Sequence, residues 1–332
     1  MKYKVLGRTG VLVSELCFGT MSFGGDADEQ ESARMFKRCR DAGVNFFDCA
    51  NNYNKGKSEE ILGRLISDCR DEVVITSKVT QRTGKGINSL GSSRRHIMLE
   101  VEKSLKRLRT DRIDLYLIHH FDRLTPIDES LRAFDDLVHQ GKVLYIGASN
   151  WAAWQNAKAL GISAKEGLAR FECIEPMYNL VKRQAEVEIL PLAQSENLGV
   201  IVYSPLAGGL LSGKYSGGNN ETPGRITQKG SYIKSYSDPV YFEIANRLNN
   251  FAKEVHTHPA TLAISWVRTH PAITAPIIGA RNVSQLEPSL AAADFNMTPD
   301  MRAEISKLSV QPPNATDRLE EVIDPNFYFR SR

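Results

Sequence analysis

The sequence predicts an α/β protein in which eight parallel strands and their intervening helices close into a (β/α)8 barrel. A β-hairpin precedes the barrel and one long loop follows its seventh strand. Three observations lead there. Strand-like and helix-like stretches alternate at a pitch of about 30 residues, the pattern of βαβ units feeding a parallel sheet. The strand-like stretches are short apolar runs rich in β-branched and aromatic residues, as in strands buried on both faces. Finally, the runs lead into polar or reactive side chains. Asp48 closes Val44-Asn45-Phe46-Phe47, Lys78 closes Val73-Val74-Ile75-Thr76-Ser77, and His119 closes Leu115-Tyr116-Leu117-Ile118. Ser149-Asn150, Glu175 and Tyr203 follow later runs in the same way. Strand ends of this kind share one rim, and in a closed barrel that rim carries the active site.

The elements follow in order. Residues 3–13 read as a hairpin around Gly7-Arg8-Thr9-Gly10. Strands are expected near 15–19, 44–48, 73–78, 113–119, 143–148, 171–175, 199–204 and 274–279. Helical periodicity covers 29–42, 58–69, 93–109, 127–140, 152–160, 183–197, 240–256, 259–270 and 299–308. Ser58 before Glu59-Glu60, Thr125-Pro126, Asp238-Pro239 and Thr298-Pro299 supply start signals, a capping side chain ahead of a charge or a first-turn proline. An open doubly wound sheet is the alternative fold. The connection from Pro205 to Ser237 holds Gly208-Gly209, Gly213, Gly217-Gly218-Asn219-Asn220 and Pro223-Gly224, and reads as a functional lid or an insertion. The chain is expected to be one domain over 1–332, with 311–332 forming a surface tail that begins near Pro312-Pro313.

Composition narrows the function classes. With 42% hydrophobic residues among 332, the chain can bury a large core, and no stretch of eighteen apolar residues reads as a membrane span. Met1-Lys2-Tyr3-Lys4-Val5-Leu6 lacks the apolar core of a signal peptide, so a soluble cytoplasmic protein is expected. The five cysteines are odd in number, widely spaced and free of Cys-x-x-Cys, which argues against a disulfide framework or a metal site. A formal charge of +3 is too small to argue for nucleic acid, yet leaves room for a local phosphate site.

The rim residues point to proton transfer. A tyrosine hydroxyl has an ordinary pKa of about 10. A neighbouring ammonium lowers it, and a buried carboxylate holds the ammonium in place. Tyr53, Lys78 and Asp48 supply those parts, and His119 is a donor able to orient a carbonyl oxygen. Singly, each has an ordinary explanation: a helix cap, a solvated lysine, a wall tyrosine, a strand-end histidine. Together they suit proton donation to a developing alkoxide.

Phe47-Asp48-Cys49-Ala50-Asn51-Asn52-Tyr53, followed by Ser58-Glu59-Glu60-Ile61-Leu62-Gly63, resembles the Asp-Thr-Ala-x-x-Tyr-Gly…Ser-Glu-x-x-Leu-Gly signature of aldo-keto reductases. Asp114–His119, Ile146–Asn150, Tyr178-Asn179-Leu180 and Tyr203-Ser204-Pro205-Leu206 resemble later blocks of that family in its order, over about residues 3 to 310. The resemblance implies a TIM barrel and NADPH-dependent reduction of aldehydes and ketones, with Tyr53 as general acid, Lys78 and Asp48 as its tuning pair, and His119 orienting the carbonyl. It further implies that Ser149, Asn150 and position 175 hold the nicotinamide carboxamide and that Tyr203 stacks on the ring. Ser204, Pro205, Leu206, Gly208, Leu210 and Lys214 would wrap the pyrophosphate, with Arg225 clamping that loop, and Thr20, Met21, Asp48 and Gly279 complete the implied cofactor contacts. Arg281 stands before a helix for which Asn282 is the expected N-cap and Gln285 its capping-box partner. A helix N-terminus and an arginine both suit a phosphate, so Arg281 is expected on the 2′-phosphate, favouring NADP over NAD. Met21, Phe23, His120, Phe121 and Trp151 are the expected substrate walls.

Two departures stand out. Glu175 occupies the family's usual glutamine position; as a carboxylate it accepts hydrogen bonds but donates none, and its charge would favour the oxidised cofactor. Glu287-Pro288-Ser289 replaces an acid–asparagine pair near the adenine. Rival readings are three. Gly208–Tyr215 nearly matches a phosphate-loop motif, but Tyr215 stands where a small Mg²⁺-ligating hydroxyl is needed. A Schiff-base aldolase using Lys78 is the second, though Asp48 should keep that lysine charged. Potassium-channel β subunits share the scaffold as non-catalytic nucleotide-binding partners.

Overall fold

A computed structural model describes residues 1–215, 224–228 and 230–316 of the chain. The hairpin pairs β1 (Tyr3–Val5) with β2 (Leu12–Ser14) in antiparallel register, Tyr3 opposite Ser14. The barrel half that follows runs β3 (Cys17–Gly19), α1 (Glu29–Asp41), β4 (Phe46–Asp48), α2 (Lys57–Leu65), β5 (Val74–Val79), α3 (Arg94–Leu108) and β6 (Ile113–Ile118). The second half runs α4 (Ile127–His139), β7 (Val143–Ser149), α5 (Ala153–Glu166), β8 (Phe171–Glu175), α6 (Ile189–Ser195) and β9 (Gly199–Val202). Then come α7 (Arg225–Gln228), α8 (Gly230–Tyr236), α9 (Pro239–Glu254), α10 (Pro259–Arg268), β10 (Ala275–Ile278), α11 (Val283–Leu290) and α12 (Pro299–Lys307). The sheet closes in the order β10-β3-β4-β5-β6-β7-β8-β9, all neighbours parallel, so the open-sheet alternative is excluded.

Period-two alternation decides which side chains enter the barrel. Phe46, Leu115, Leu117, Cys173 and Ile201 pack together inside, whereas Phe47, Tyr116, Ile118, Ile174, Val200 and Val202 pack outward against the helices. Carried two residues on, the inward set predicts that Asp48, His119, Glu175 and Tyr203 point to the axis. The hairpin plugs the opposite end: Leu6 and Val13 are buried within the interior cluster. Its turn approaches so closely that a Cβ on Gly7, which has φ +54°, would sit 2.6 Å from the Glu172 carbonyl, so only glycine fits.

Several boundaries differ from the sequence expectation. The expected strand at 44–48 forms only over Phe46–Asp48, because Asn45 ties the hairpin instead, its Oδ1 accepting from Ser14 N at 2.7 Å and its Nδ2 donating to the Leu12 carbonyl at 3.0 Å. The helix expected at 183–197 shortens to α6 behind a single 3₁₀ turn, Gln184–Glu186. Ser58 is no cap: α2 already begins at Lys57, and the Ser58 hydroxyl is buried against the Thr20 carbonyl at 2.8 Å. Thr125 is no cap either; its hydroxyl donates to Asp122. Asp238, Asn282 and Thr298 do cap, each accepting from a first-turn amide. The connection from 205 to 237 is not a bare loop, since it contains the 3₁₀ segment Ala207–Ser212, α7 and α8. Its Gly217-Gly218-Asn219-Asn220 stretch and most of the 311–332 tail lie outside the described residues. Among the described residues no helix is long and apolar enough to cross a membrane. None of the five cysteines is disulfide-bonded.

Candidate active site

The strand ends converge on one cavity of about 950 Å³. At its floor lies the ion pair the sequence anticipated. Lys78 has no exposed side-chain surface; its ammonium contacts Asp48 Oδ1, donates to the Cys49 carbonyl at 3.0 Å, and lies 3.3 Å from Glu175 Oε2. Burial alone would lower the lysine pKa, but Asp48 and Glu175 together outweigh it and hold it well above the ordinary value. Lys78 is therefore charged at neutral pH. Thr20 secures the Asp48 carbonyl through its amide at 2.8 Å and its hydroxyl at 3.0 Å, and is itself fully buried rather than lining the cavity.

Tyr53 opens the 3₁₀ turn Tyr53–Gly56, whose Asn54 and Lys55 adopt φ of 48° and 59°. That left-handed pair is held by Asn54, which donates to the Met21 and Phe23 carbonyls at 2.9 and 2.7 Å. The Tyr53 ring faces the cavity, 5.3 Å from the Lys78 nitrogen and 6.0 Å edge-on from the His119 ring. The sequence expectation was a phenol pKa lowered by Lys78. Burial raises it more than Lys78 lowers it, so the net shift is upward and the phenol is protonated throughout the neutral range. His119 is shifted well below its ordinary value by burial and then by Lys78, which leaves a neutral imidazole whose Nδ1 is buried without a hydrogen-bond partner.

Asn150, at φ 59°, is fixed on three sides. Its Nδ2 donates to the His119 carbonyl and the Ser149 hydroxyl, each at 3.0 Å, and its Oδ1 accepts from the Tyr203 hydroxyl at 2.6 Å. Ser149 lies behind it, fully buried, donating to the Glu175 carbonyl at 3.0 Å. Beyond Tyr203 the chain takes successive positive φ values at Ser204, Ala207, Gly208 and Gly209, which turns it sharply along the cavity wall. Asn179 supports that wall, donating to the Ser204 carbonyl at 3.0 Å.

The far end of the cavity is basic. Lys214, Arg225 and Arg281 all line it, and burial followed by the charges of Arg281 and Arg225 lowers the Lys214 pKa. Three cations crowded together favour an anionic ligand. Gln285 also lines the cavity, but its side chain accepts from the Arg281 amide at 3.3 Å rather than from the Asn282 cap, one residue further back than a capping box requires. The donor sets fit a dinucleotide: cations for phosphates at one end, and unsatisfied polar atoms of Glu175 and His119 at the other.

Met21, His120, Pro205, Leu206, Gly208 and Gly279 reach the cavity as well, with Asp48, Tyr53, His119, Asn150, Glu175, Tyr203 and Ser204. Like Thr20 and Ser149, several other expected contacts lie off the cavity. Phe23 has no exposed surface and packs on Phe18 at 5.8 Å, so it is core and not wall. Trp151 is 5% exposed and wedged between Phe121 and Phe171, and neither it nor Phe121 lines the cavity. Leu210, buried within its 3₁₀ segment, does not line the cavity. The sequence reading missed Asn52, Gln81, Met177 and Ser284 on the walls, and also the face of α8 that presents Ser231, Tyr232, Ser235 and Tyr236. The i, i+4 repeat of Ser and Tyr was the available signal for that face. Of the altered Glu287-Pro288-Ser289 triplet, only Pro288 reaches the cavity; Glu287 forms a bidentate ion pair with Arg38, at 2.7 and 2.9 Å.

One rim of this closed barrel gathers a phenol, a buried ammonium–carboxylate pair and a neutral imidazole around one cavity, the groups that proton transfer uses. Sequence comparison names the lineage: the model of the Aldo/keto reductase family matches residues 15–310, and the chain belongs to that family of oxidoreductases. It is 38% identical over 327 residues to "Uncharacterized oxidoreductase YrpG" of Bacillus subtilis (strain 168), covering 95% of this chain and 98% of the relative. It is 36% identical over 327 residues to "Probable voltage-gated potassium channel subunit beta" of Oryza sativa subsp. japonica, covering 96% and 99%. It is also 30% identical over 310 residues to "L-glyceraldehyde 3-phosphate reductase" of Escherichia coli (strain K12), covering 90% and 89%.

Proposed function

We propose that the protein reduces aldehydes and ketones to alcohols with NADPH, using Tyr53 as the proton donor. The observation that carries this reading is the convergence of Tyr53, Lys78, Asp48 and His119 at one end of a cavity whose other end holds Lys214, Arg225 and Arg281. When bound, the reduced nicotinamide supplies the hydride. Tyr53 holds its proton until negative charge develops on the carbonyl oxygen. It then donates, and the phenolate left behind is stabilised by the Lys78 ammonium beside the ring. His119, being neutral, keeps a ring N–H to orient that oxygen without competing for the proton. Asp48 keeps Lys78 charged and aimed. Asn150 and Glu175 would hold the carboxamide and Tyr203 the ring. Lys214, Arg225 and Arg281 would take the phosphates, with Arg281 on the 2′-phosphate.

A Schiff-base role for Lys78 is disfavoured, because two carboxyl groups keep the amine protonated and non-nucleophilic. The non-catalytic alternative suggested by the rice relative makes a different prediction, nucleotide binding without turnover. The test is NADPH consumption by the native protein with a panel of aromatic, short aliphatic and sugar aldehydes and ketones. Carbonyl-dependent oxidation of NADPH is the expected result. Tight nucleotide binding with no consumption across the panel would overturn the reductase reading in favour of the binding role.

A further inference from the structure

The cavity floor holds one acid more than the proton-transfer set requires. One ammonium, Lys78, is shared by two buried carboxyl groups, Asp48 in the closer contact and Glu175 at 3.3 Å. Glu175 is 3% exposed and opens onto the cavity. Its Oε2 has no closer partner than the Lys78 ammonium, whose shorter contact is with Asp48. The other titratable groups facing it are Asp48, the Tyr53 and Tyr203 phenols, and the Cys17 and Cys173 thiols beneath; among the described residues Lys78 is the one cation acting on it. Ionising both carboxyl groups around a single ammonium would bury a net negative charge, the costly state for a dry floor. Asp48 has the better contact, so the proton falls to Glu175.

We propose that Glu175 is a neutral carboxylic acid in the unliganded protein and gives up its proton when the positively charged, oxidised nicotinamide occupies the cavity, whereas the uncharged reduced form leaves that proton in place. This rests on the reading that the cavity takes a nicotinamide dinucleotide. The step balances simply: the carboxyl O–H bond breaks, its electron pair stays as carboxylate, and the proton passes to solvent. In its protonated state the side chain offers one donor and one acceptor, the same pair an amide offers a carboxamide. A permanently ionised residue would only accept, so the expectation of a simple negative charge at this position is replaced by a proton-linked one. Burial, then Asp48, raises the Glu175 pKa to about 8, within the range where this linkage is measurable. Affinity for the oxidised cofactor should therefore tighten as pH rises toward that value.

The experiment measures Kd for NADP+ and NADPH by quenching of protein fluorescence on the whole chain, from about pH 6 to about pH 9, for the native protein and Glu175→Gln. Taking the ratio of the two constants cancels titration of the 2′-phosphate and of the basic end, which both forms share. The expected ratio, NADP+ over NADPH, falls roughly tenfold for each unit by which the oxidised nicotinamide lowers the Glu175 pKa, and is flat in Glu175→Gln. Calorimetry of the native protein in two buffers of different ionisation enthalpy gives a second readout that needs no variant: proton release near neutral pH with NADP+, and none with NADPH. A flat ratio in the native protein, an equal slope in Glu175→Gln, or equal proton release with both forms overturns the inference while the nucleotide reading stands. Failure of either nucleotide to bind overturns both.

Discussion

Lys78→Met keeps most of the buried stem and removes the ammonium that Asp48 and Glu175 share. Asp48, in the closer contact, is the carboxylate that loses its counter-charge, whereas Glu175, proposed to carry its own proton, loses only a dipolar contact at 3.3 Å. Left buried without its counter-charge, Asp48 escapes part of the penalty by taking up a proton. A net loss of about 3–5 kcal/mol is expected, the usual cost of removing one partner from a buried pair. The loss should also grow with pH. Burial raises the folded pKa of Glu175 to about 8 from an ordinary 4.5, so the folded protein binds this proton more tightly than the unfolded chain. That contribution to stability is complete below pH 4.5 and is lost as pH climbs to about 8, at about 1.4 kcal/mol per unit. Without Lys78 both acids shift higher still, so the decline in the variant extends further into the alkaline range. Urea denaturation of native protein and variant at about pH 6 and about pH 9 measures both effects. A variant within about 1 kcal/mol of native at both values would mean that Lys78 is not the counter-charge of this floor.

Two further substitutions probe the other end of the cavity and a corrected position. Arg281→Ala should weaken NADPH by about 1.5–3 kcal/mol, tenfold or more, and leave NADH nearly unchanged; an unaltered ratio of the two dissociation constants would remove Arg281 from the phosphate. Phe23→Ala should cost about 3–5 kcal/mol of stability, as a core truncation does, without changing the order of preferred carbonyls. A changed preference at native stability would return Phe23 to the substrate wall.

Much of this site was legible in the sequence because strands alternate strictly. Once Phe46, Leu117, Cys173 and Ile201 face the barrel axis, Asp48, His119, Glu175 and Tyr203 must follow, and β4 beside β5 brings Asp48 to Lys78. The contact of Lys78 with Glu175 was not legible. It runs between β5 and β8, which are not neighbours, and only closure of the barrel draws them together. Beyond the strand ends periodicity stops. Phe23 and Trp151 each follow a strand by a few residues, yet loop geometry turns both into the core. The α8 face escaped notice because the glycines around it dominated the reading of residues 205–237. The sign of the Tyr53 shift was missed for a different reason: a sequence names the ammonium beside a phenol but not how completely the pair is dehydrated.

Single-turnover reduction by Tyr53→Phe, with NADPH affinity measured on the same sample, bears most directly on the chemistry proposed for this rim. Loss of the hydroxyl should slow the chemical step about a hundredfold or more while the dissociation constant for NADPH stays near native. Turnover at the native rate with the cofactor bound normally would mean that some other group delivers the proton.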